Sequence, residues 1–192
     1  EMCIRDRPET IRAWFAGKGW TPRPHQLDLL GLAENGRSVL LIAPTGAGKT
    51  LAGFLPSLVD LSRRTARKPG TRAPGIHTLY ISPLKALATD IQRNLAAPVE
   101  EMGLRIEIET RTGDTSQHRR QRQKLRPPDI LLTTPEQLAL LIASKDAEAF
   151  FSDLKMVIFD ELHSLVTSKR GHLLALGLAR LRKLRPDLQT CL

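Results

Sequence analysis

Residues 38–50 read SVLLIAPTGAGKT, and the order of apolar, glycine and helical positions within them decides the fold. Val39, Leu40, Leu41 and Ile42 form an apolar run of strand length that breaks at Pro44, Thr45, Gly46, Ala47 and Gly48. Apolar residues then recur at helical spacing from Lys49 through Leu51, Phe54, Leu55 and Leu58. The prediction is a strand, a tight loop and a helix. Gly46 and Gly48 allow backbone angles that wrap successive N–H groups round one concavity, and the partly positive N-terminus of the helix points at the same place. Such a nest takes phosphate. Lys49 adds a full charge for the outer phosphates, and the Thr50 hydroxyl is placed to ligate magnesium. Thr45, Gly46, Ala47, Gly48, Lys49 and Thr50 are therefore the expected cradle of an Mg-nucleoside triphosphate. Ala43 stands where the usual pattern has its first glycine, but Gly-Lys-Thr between strand and helix is the specific part of that pattern.

Downstream, strand-like runs end repeatedly in polar clusters. Residues 77–82 (HTLYIS) lead to Pro83 and a helix with Leu84, Leu87, Ile91 and Leu95 at helical spacing and Ser82 as N-cap. Residues 105–110 alternate apolar and charged side chains and end in Arg111, Thr112, Gly113, Asp114 and Thr115, before a basic helix from Ser116. Residues 129–133 end in Thr134, Pro135 and Glu136, ahead of a helix with Leu138, Leu141 and Ile142. Residues 155–159 end in Asp160, Glu161, Leu162 and His163. A last helix over 172–184 turns Leu174, Leu178 and Leu181 inward, and 189–192 reads as the start of a sixth strand. Upstream, residues 8–17 suggest a short helix with Ile11, Trp14 and Phe15 on or near one face, and a second starts near Pro24 with Leu27, Leu30 and Leu32 buried. Gln26, at its start, carries the donor and acceptor that match the edge of adenine, although taken alone it reads as a surface glutamine.

Strands alternating with helices define an α/β fold with a mainly parallel central sheet covered on both faces. Ligands collect at the carboxyl ends of such strands, so the polar clusters are expected along one edge. Asp160 and Glu161 follow the wholly apolar segment 156–159, where no solubilising charge is needed. There Asp160 can hold magnesium opposite Thr50, and Glu161 can orient or deprotonate an attacking water.

A chain of 192 residues suits one domain. Its net charge of +9 is concentrated in two acid-free runs, Arg63, Arg64, Arg67, Lys68 and Arg72, then Arg119, Arg120, Arg122, Lys124 and Arg126, without which the balance is −1. That distribution favours a polyanionic partner, with a solvated charge run as the plainer alternative for either segment. Cys3 and Cys191, near opposite ends, argue against a disulfide scaffold or a zinc site and for a reducing cytoplasmic setting. No apolar run approaches membrane-spanning length. Residues 1–7 show neither periodicity nor a cap and are set aside as a non-native extension.

Together the stretches Pro24-His25-Gln26, APTGAGKT, Pro83-Leu84-Lys85-Ala86-Leu87, Thr112-Gly113-Asp114-Thr115, Thr134-Pro135-Glu136 and Asp160-Glu161-Leu162-His163, all in order, resemble superfamily 2 helicases of the DExH-box kind. SPLKAL, TGDT and DELH look most like the large helicase-related (Lhr) group, which includes bacterial ligase-associated DNA helicases. The resemblance implies a three-layer RecA-like P-loop NTPase domain over residues 8–192, the first of two, truncated before the family's Ser-Ala-Thr motif. It implies ATP and Mg²⁺ as cofactors, with Gln26 reading adenine and Lys49, Asp160, Glu161 and His163 serving catalysis. Nucleic-acid phosphates would be touched by Pro83, Lys85, Thr112, Gly113, Thr134 and Pro135, with His163 coupling the nucleotide site to the motif on the next strand. The implied partners are single-stranded DNA, the second RecA-like domain, which supplies arginines to the triphosphate, and DNA repair proteins. Alternatives are a nucleotide-gated nucleic-acid clamp or an RNA helicase that does not unwind processively, and an unrelated P-loop kinase, which would leave the other motifs without purpose.

Overall fold

Residues 9–44, 47–64 and 75–192 are described by the structure, a computed structural model; expectations for Thr45, Gly46, Arg67, Lys68, Arg72 and residues 1–8 lie outside that range. Apolar runs on β1 (Thr78–Ile81), β3 (Ile130–Thr133) and β4 (Met156–Phe159) are buried on both faces, as a central parallel strand must be. β2 (Ile108–Arg111) and β5 (Gln189–Cys191) flank them in the order β2-β3-β1-β4-β5, and every pairing among the described strands is parallel. Successive side chains go to opposite faces. Tyr80, Ile130, Leu132 and Ile158 enter the core with Ile11, Phe15, Leu29, Leu30, Phe54 and Leu58. Leu79, Ile81, Leu131, Val157 and Phe159 enter the other with Leu138, Phe151, Leu165, Leu174 and Leu181. The first core is covered by α1 (Glu9–Gly17), α2 (Pro24–Glu34), α3 (Lys49–Ser62) and α4 (Lys85–Glu101). α5 (Gln117–Leu125) leans on β2 through side-chain hydrogen bonds to Glu109. α6 (Pro135–Ile142), α7 (Ala147–Phe150), α8 (His163–Val166) and α9 (Lys169–Leu184) cover the second core. Truncating a fully buried side chain such as Leu131 to alanine costs about 2–5 kcal/mol through lost transfer energy and the cavity left behind.

The structure corrects several local expectations. The run at 39–42 is not a full strand: only Val39 bridges Cys191, although Val39 N–H donates to Thr190 O and Leu41 N–H to Leu192 O. This segment therefore extends the sheet beyond β5 as an edge, which leaves Leu40 and Ile42 exposed. The helix after β1 begins at Lys85, with Leu84 as its exposed N-cap, and buries Ala88, Leu95 and Val99. Extended backbone at Leu84 delays the turn, so Pro83 and Ser82 precede it. In α2 the buried leucines are Leu29 and Leu30 rather than Leu27 and Leu32, because Gln26, Leu29, Leu30 and Ala33 fall on one face at helical spacing. α9 starts at Lys169 rather than His172, with the Ser168 hydroxyl accepting from Gly171 N–H, and buries Gly177 beside Leu174 and Leu181, with Leu178 partly buried against the same core.

Candidate nucleotide and nucleic-acid sites

The strand order sorts the polar clusters along the carboxyl edge. The loops after β2, β3 and β1, which carry Thr112–Gly113, Thr134–Pro135 and Pro83–Lys85, lie side by side on one half. The loop after β4, with Asp160, and the Gly-Lys-Thr loop after the edge segment at Val39 occupy the other half. β1 and β4 are neighbours, so the two halves meet there.

Gly48 is the N-cap of α3 at φ 73°, a left-handed angle that glycine adopts without the steric cost of a Cβ. A Cβ there would also lie 3.0 Å from Gln26 Nε2. Lys49 Nζ donates to the Ala43 carbonyl at 2.7 Å, six residues back across the loop. Gln26 is buried rather than on the surface: its Oε1 accepts from Arg23 N–H at 2.9 Å and its Nε2 donates to Gly48 O at 3.4 Å. With His25 Nε2 3.0 Å from Ala47 O, this segment braces the phosphate loop from the α2 side.

Lys49, Thr50, Tyr80 and Asp160 line one cavity of about 50 Å³, closed on other sides by Gly53, Ile158 and Cys191. Asp160 N–H donates to Ile81 O at 3.0 Å, which continues the β1–β4 register by one residue. Its carboxylate is held on both oxygens, Oδ1 by Glu161 N–H at 3.0 Å and Oδ2 by the Tyr80 hydroxyl. Burial first, and Asp160 second, push the Tyr80 phenol above its ordinary pKa, so it remains a donor. Glu161 has φ 50°, a left-handed angle that is uncommon outside glycine and costs about 1–3 kcal/mol. The resulting sharp turn puts the Glu161 carboxylate in the open, with Oε2 3.2 Å from His163 Nε2. The oxygen donors of Thr50 and Asp160 fit magnesium, which favours few protein ligands and keeps waters and phosphate oxygens. Among the described residues no cluster of three histidine, cysteine or acidic side chains forms a site for another metal.

On the other half, Lys85 Nζ lies 2.6 Å from Asp114 Oδ2, an exposed pair that joins the loops after β1 and β2. Arg120 donates from Nη2 to Thr112 O at 3.1 Å and to Gly113 O at 2.9 Å, and Thr112 N–H donates to Thr115 Oγ1 at 2.9 Å. Thr134 is the buried N-cap of α6, and Pro135 fills its first position. The basic run on α5 is largely engaged within the protein. Arg119 and Arg122 pair with the buried Glu109, Lys124 with Asp146 and Arg126 with Glu107. Tyr80 and Glu109 were not marked by the sequence pattern: a tyrosine in TLYI reads as core, and the alternation at 105–110 reads as a solvated strand.

Loop, acidic pair and parallel sheet together define a RecA-like nucleotide-binding domain. The chain belongs to the DEAD/DEAH box helicase family, whose model matches residues 23–192. It is 42% identical over 183 residues to the Lhr helicase/probable uracil glycosylase of Mycolicibacterium smegmatis, covering 90% of this chain and 12% of that protein. It is 39% identical over 189 residues to the ATP-dependent helicase Lhr-Core protein 2 of Thermococcus barophilus, covering 93% of this chain and 22% of the relative. The solved structure of the Mycobacterium smegmatis helicase Lhr bound to ssDNA and AMP-PNP superposes with a TM-score of 0.87 at 36% identity, over 98% of this chain and 25% of that one. The chain thus spans between about an eighth and a quarter of the relatives it resembles.

Proposed function

We propose that this chain is the first RecA-like motor domain of an Lhr-type ATP-dependent DNA helicase, which couples ATP hydrolysis to movement along single-stranded DNA. The observation that carries the reading is the division of one sheet edge into two adjoining halves, with Lys49, Thr50 and Asp160 around one cavity and the loops of Lys85, Thr112 and Thr134 beside it. Lys49 would exchange the Ala43 carbonyl for the outer phosphates. Thr50 and Asp160 would hold Mg²⁺, which draws charge from the transferring phosphoryl group. Glu161 takes the proton of the attacking water at its carboxylate, and His163 steadies that carboxylate. Gln26 would present its remaining amide donor and acceptor to adenine. Lys85 and the polar groups of Thr112, Gly113, Thr134 and Pro135 would meet phosphates, a mode of contact that is blind to base sequence. DNA is favoured because similar solved helicases, Lhr and MrfA, are DNA-bound. Action in DNA repair in the bacterial cytoplasm, with a second RecA-like domain supplying arginines, completes the reading. No described helix is long and apolar enough to cross a membrane.

The test is ATP turnover by the full-length protein with and without single-stranded DNA. Stimulation that disappears in Glu161→Gln while nucleotide binding persists supports the reading. Turnover indifferent to nucleic acid returns the chain to a nucleotide-binding module of another kind.

A further inference from the structure

Arg170, in the first turn of α9, lies ten residues after Asp160 and belongs to none of the motifs above. Its guanidinium reaches two separate loops. Nε donates to Glu136 Oε1 at 2.5 Å and Nη2 to Glu136 Oε2 at 3.2 Å, while Nη2 also donates to the Pro83 carbonyl at 2.6 Å. Glu136 follows Thr134 and Pro135, and Pro83 precedes Lys85 by two residues. One side chain therefore ties together the loops after β3 and β1. Guanidinium suits the task because its planar fork can take both carboxylate oxygens and a carbonyl at once, whereas an ammonium is a point donor. The Arg170 hydrogen bond also holds the Glu136 carboxyl below the usual carboxylate range, so the anion persists.

The other end of this link is the acidic loop. α8 begins at His163, and the next helix is pressed against it: a Cβ on Gly171 would lie 2.3 Å from Leu165 O and 3.2 Å from Val166 O. Ser168 binds the same turn, N–H donating to Leu165 O at 3.0 Å and Oγ at 2.8 Å. A contact this close to backbone leaves no slack between α8 and the start of α9. A shift of residues 160–163 is therefore passed to Arg170 and, through it, to Pro83 and Glu136.

We propose that Arg170 is a positioning residue that couples the acidic loop after β4 to the two nucleic-acid-gripping loops after β1 and β3. This rests on the functional reading above and adds the physical route between its two sites. Coupling by packed elements is established only by an energetic test, and a typical coupling between sites changes affinity by about 5–150-fold.

The experiment uses the full-length protein, with Arg170→Ala, Arg170→Lys, Glu136→Gln and the double variant Arg170→Ala/Glu136→Gln. Three quantities are measured: affinity for AMP-PNP without nucleic acid, affinity for a single-stranded oligonucleotide, and the ratio of stimulated to unstimulated ATP turnover. Expected are AMP-PNP affinity within about twofold of wild type for Arg170→Ala, a stimulation ratio reduced about tenfold or more, and no rescue by lysine. The double variant should lose no more than Arg170→Ala alone, since both substitutions break one link. Glu136→Gln keeps the side-chain shape, so a lowered ratio in it answers the objection that Arg170→Ala merely loosens the fold. A stimulation ratio unchanged in both single variants overturns the proposal while the helicase reading stands, and so does fully additive loss. Wild-type turnover that single strands do not stimulate overturns the reading beneath and this proposal with it.

Discussion

The Tyr80 hydroxyl, at the third position of β1, donates to Oδ2 of Asp160, the residue that follows β4. The donor comes from inside the sheet, where Tyr80 is 2% exposed and stacks on Phe54 with ring centroids 5.4 Å apart. The carboxylate proposed to hold magnesium is thus aimed by a residue that packing has already fixed. Tyr80→Phe keeps the stack and removes the hydrogen bond, which costs about 1 kcal/mol of stability. The half-saturating Mg²⁺ concentration for ATP binding is expected to rise severalfold. An unchanged Mg²⁺ requirement, measured by titration at fixed ATP, would show that Asp160 needs no such aim.

Lys49 and Glu161 should separate binding from chemistry. Lys49→Ala removes the cation of the phosphate loop, and nucleotide affinity is expected to collapse. Glu161→Gln keeps shape and polarity but cannot take a proton, so affinity persists while turnover falls by about 10² to 10⁴. Calorimetric titration with AMP-PNP and steady-state hydrolysis in the full-length protein decide both. Equal affinity in wild type and Lys49→Ala contradicts the first outcome, and near-normal turnover in Glu161→Gln contradicts the second.

What was legible in the sequence divides along physical lines. Gly-Lys-Thr, Asp-Glu-Leu-His and Thr-Gly-Asp-Thr stand out because glycine and polar residues after an apolar run have no packing reason to be there. Tyr80 was hidden by the opposite circumstance, since three of the four residues of TLYI could fill a core without further role. Glu109 was hidden by alternation: on an edge strand a charged position reads as solvent-facing, but α5 folds over it and buries it to 5% exposure. Gln26 was legible as a candidate, but its burial and its contact with Gly48 were not, because only the folded chain brings residues 26 and 48 together. The full strand expected at 39–42 reflects composition, whereas the folded segment pairs with residues 190–192 through Val39 and Leu41 alone.

The α5 arginines give a prediction opposite in kind to the one their charge suggests. Glu109 receives Arg119 Nε at 3.2 Å, Arg122 Nη2, and Gln123 Nε2 at 2.8 Å. Arg119→Glu or Arg122→Glu would set a second carboxylate against the first and leave a single arginine to offset both charges, since Gln123 is neutral. Both should lower the melting temperature. Glu109→Ala should cost about 2 kcal/mol, because Gln123 is buried and loses an acceptor. Wild-type melting in these variants, with weakened single-strand binding, would return α5 to the role of a free phosphate-binding face.

The opposite end of the sheet sets the pH dependence of stability. His77 is buried, with Nε2 2.6 Å from Asp60 Oδ2 and Nδ1 2.8 Å from Thr78 Oγ1, and Lys155 Nζ lies 2.8 Å from the same Asp60 oxygen. The His77 hydrogen bond, and less strongly Lys155, hold the Asp60 carboxyl far below the usual range against the effect of burial. Burial holds the His77 imidazole below its own ordinary value. Both folded pKa values lie under the unfolded ones, so on acidification the unfolded chain takes the protons first and stability falls. The histidine contribution is complete above about pH 6.5 and is lost towards its depressed folded value, and the aspartate contribution goes only below about pH 3.9. Melting temperature should therefore drop between pH 7.5 and 5.5, and His77→Gln should flatten that limb. A slope identical in the variant would assign the drop to other groups.

Taken alone, these 192 residues are expected to bind Mg-ATP weakly and to hydrolyse it far more slowly than a protein of the relatives' full length. Phosphoryl transfer needs positive charge around the transferred group as well as a base, and an arginine supplied for that purpose is worth about 10³ to 10⁵ in rate. Among the described residues, the cavity of Thr50 and Asp160 is lined by one cation, Lys49, and by no arginine. Arg111, the last residue of β2, is buried, and two half-buried guanidiniums beside the carboxyl-edge loops are already committed, Arg120 to the carbonyls of Thr112 and Gly113 and Arg170 to Glu136 and Pro83. Withdrawing either would loosen the loops it holds. The second RecA-like domain of the proposed full-length protein would supply that charge. Side-by-side hydrolysis assays of this chain and the full-length protein, each across a dilution series, check the claim. Equal specific activity that resists dilution would show that the cavity completes its own charge and that no second domain is needed.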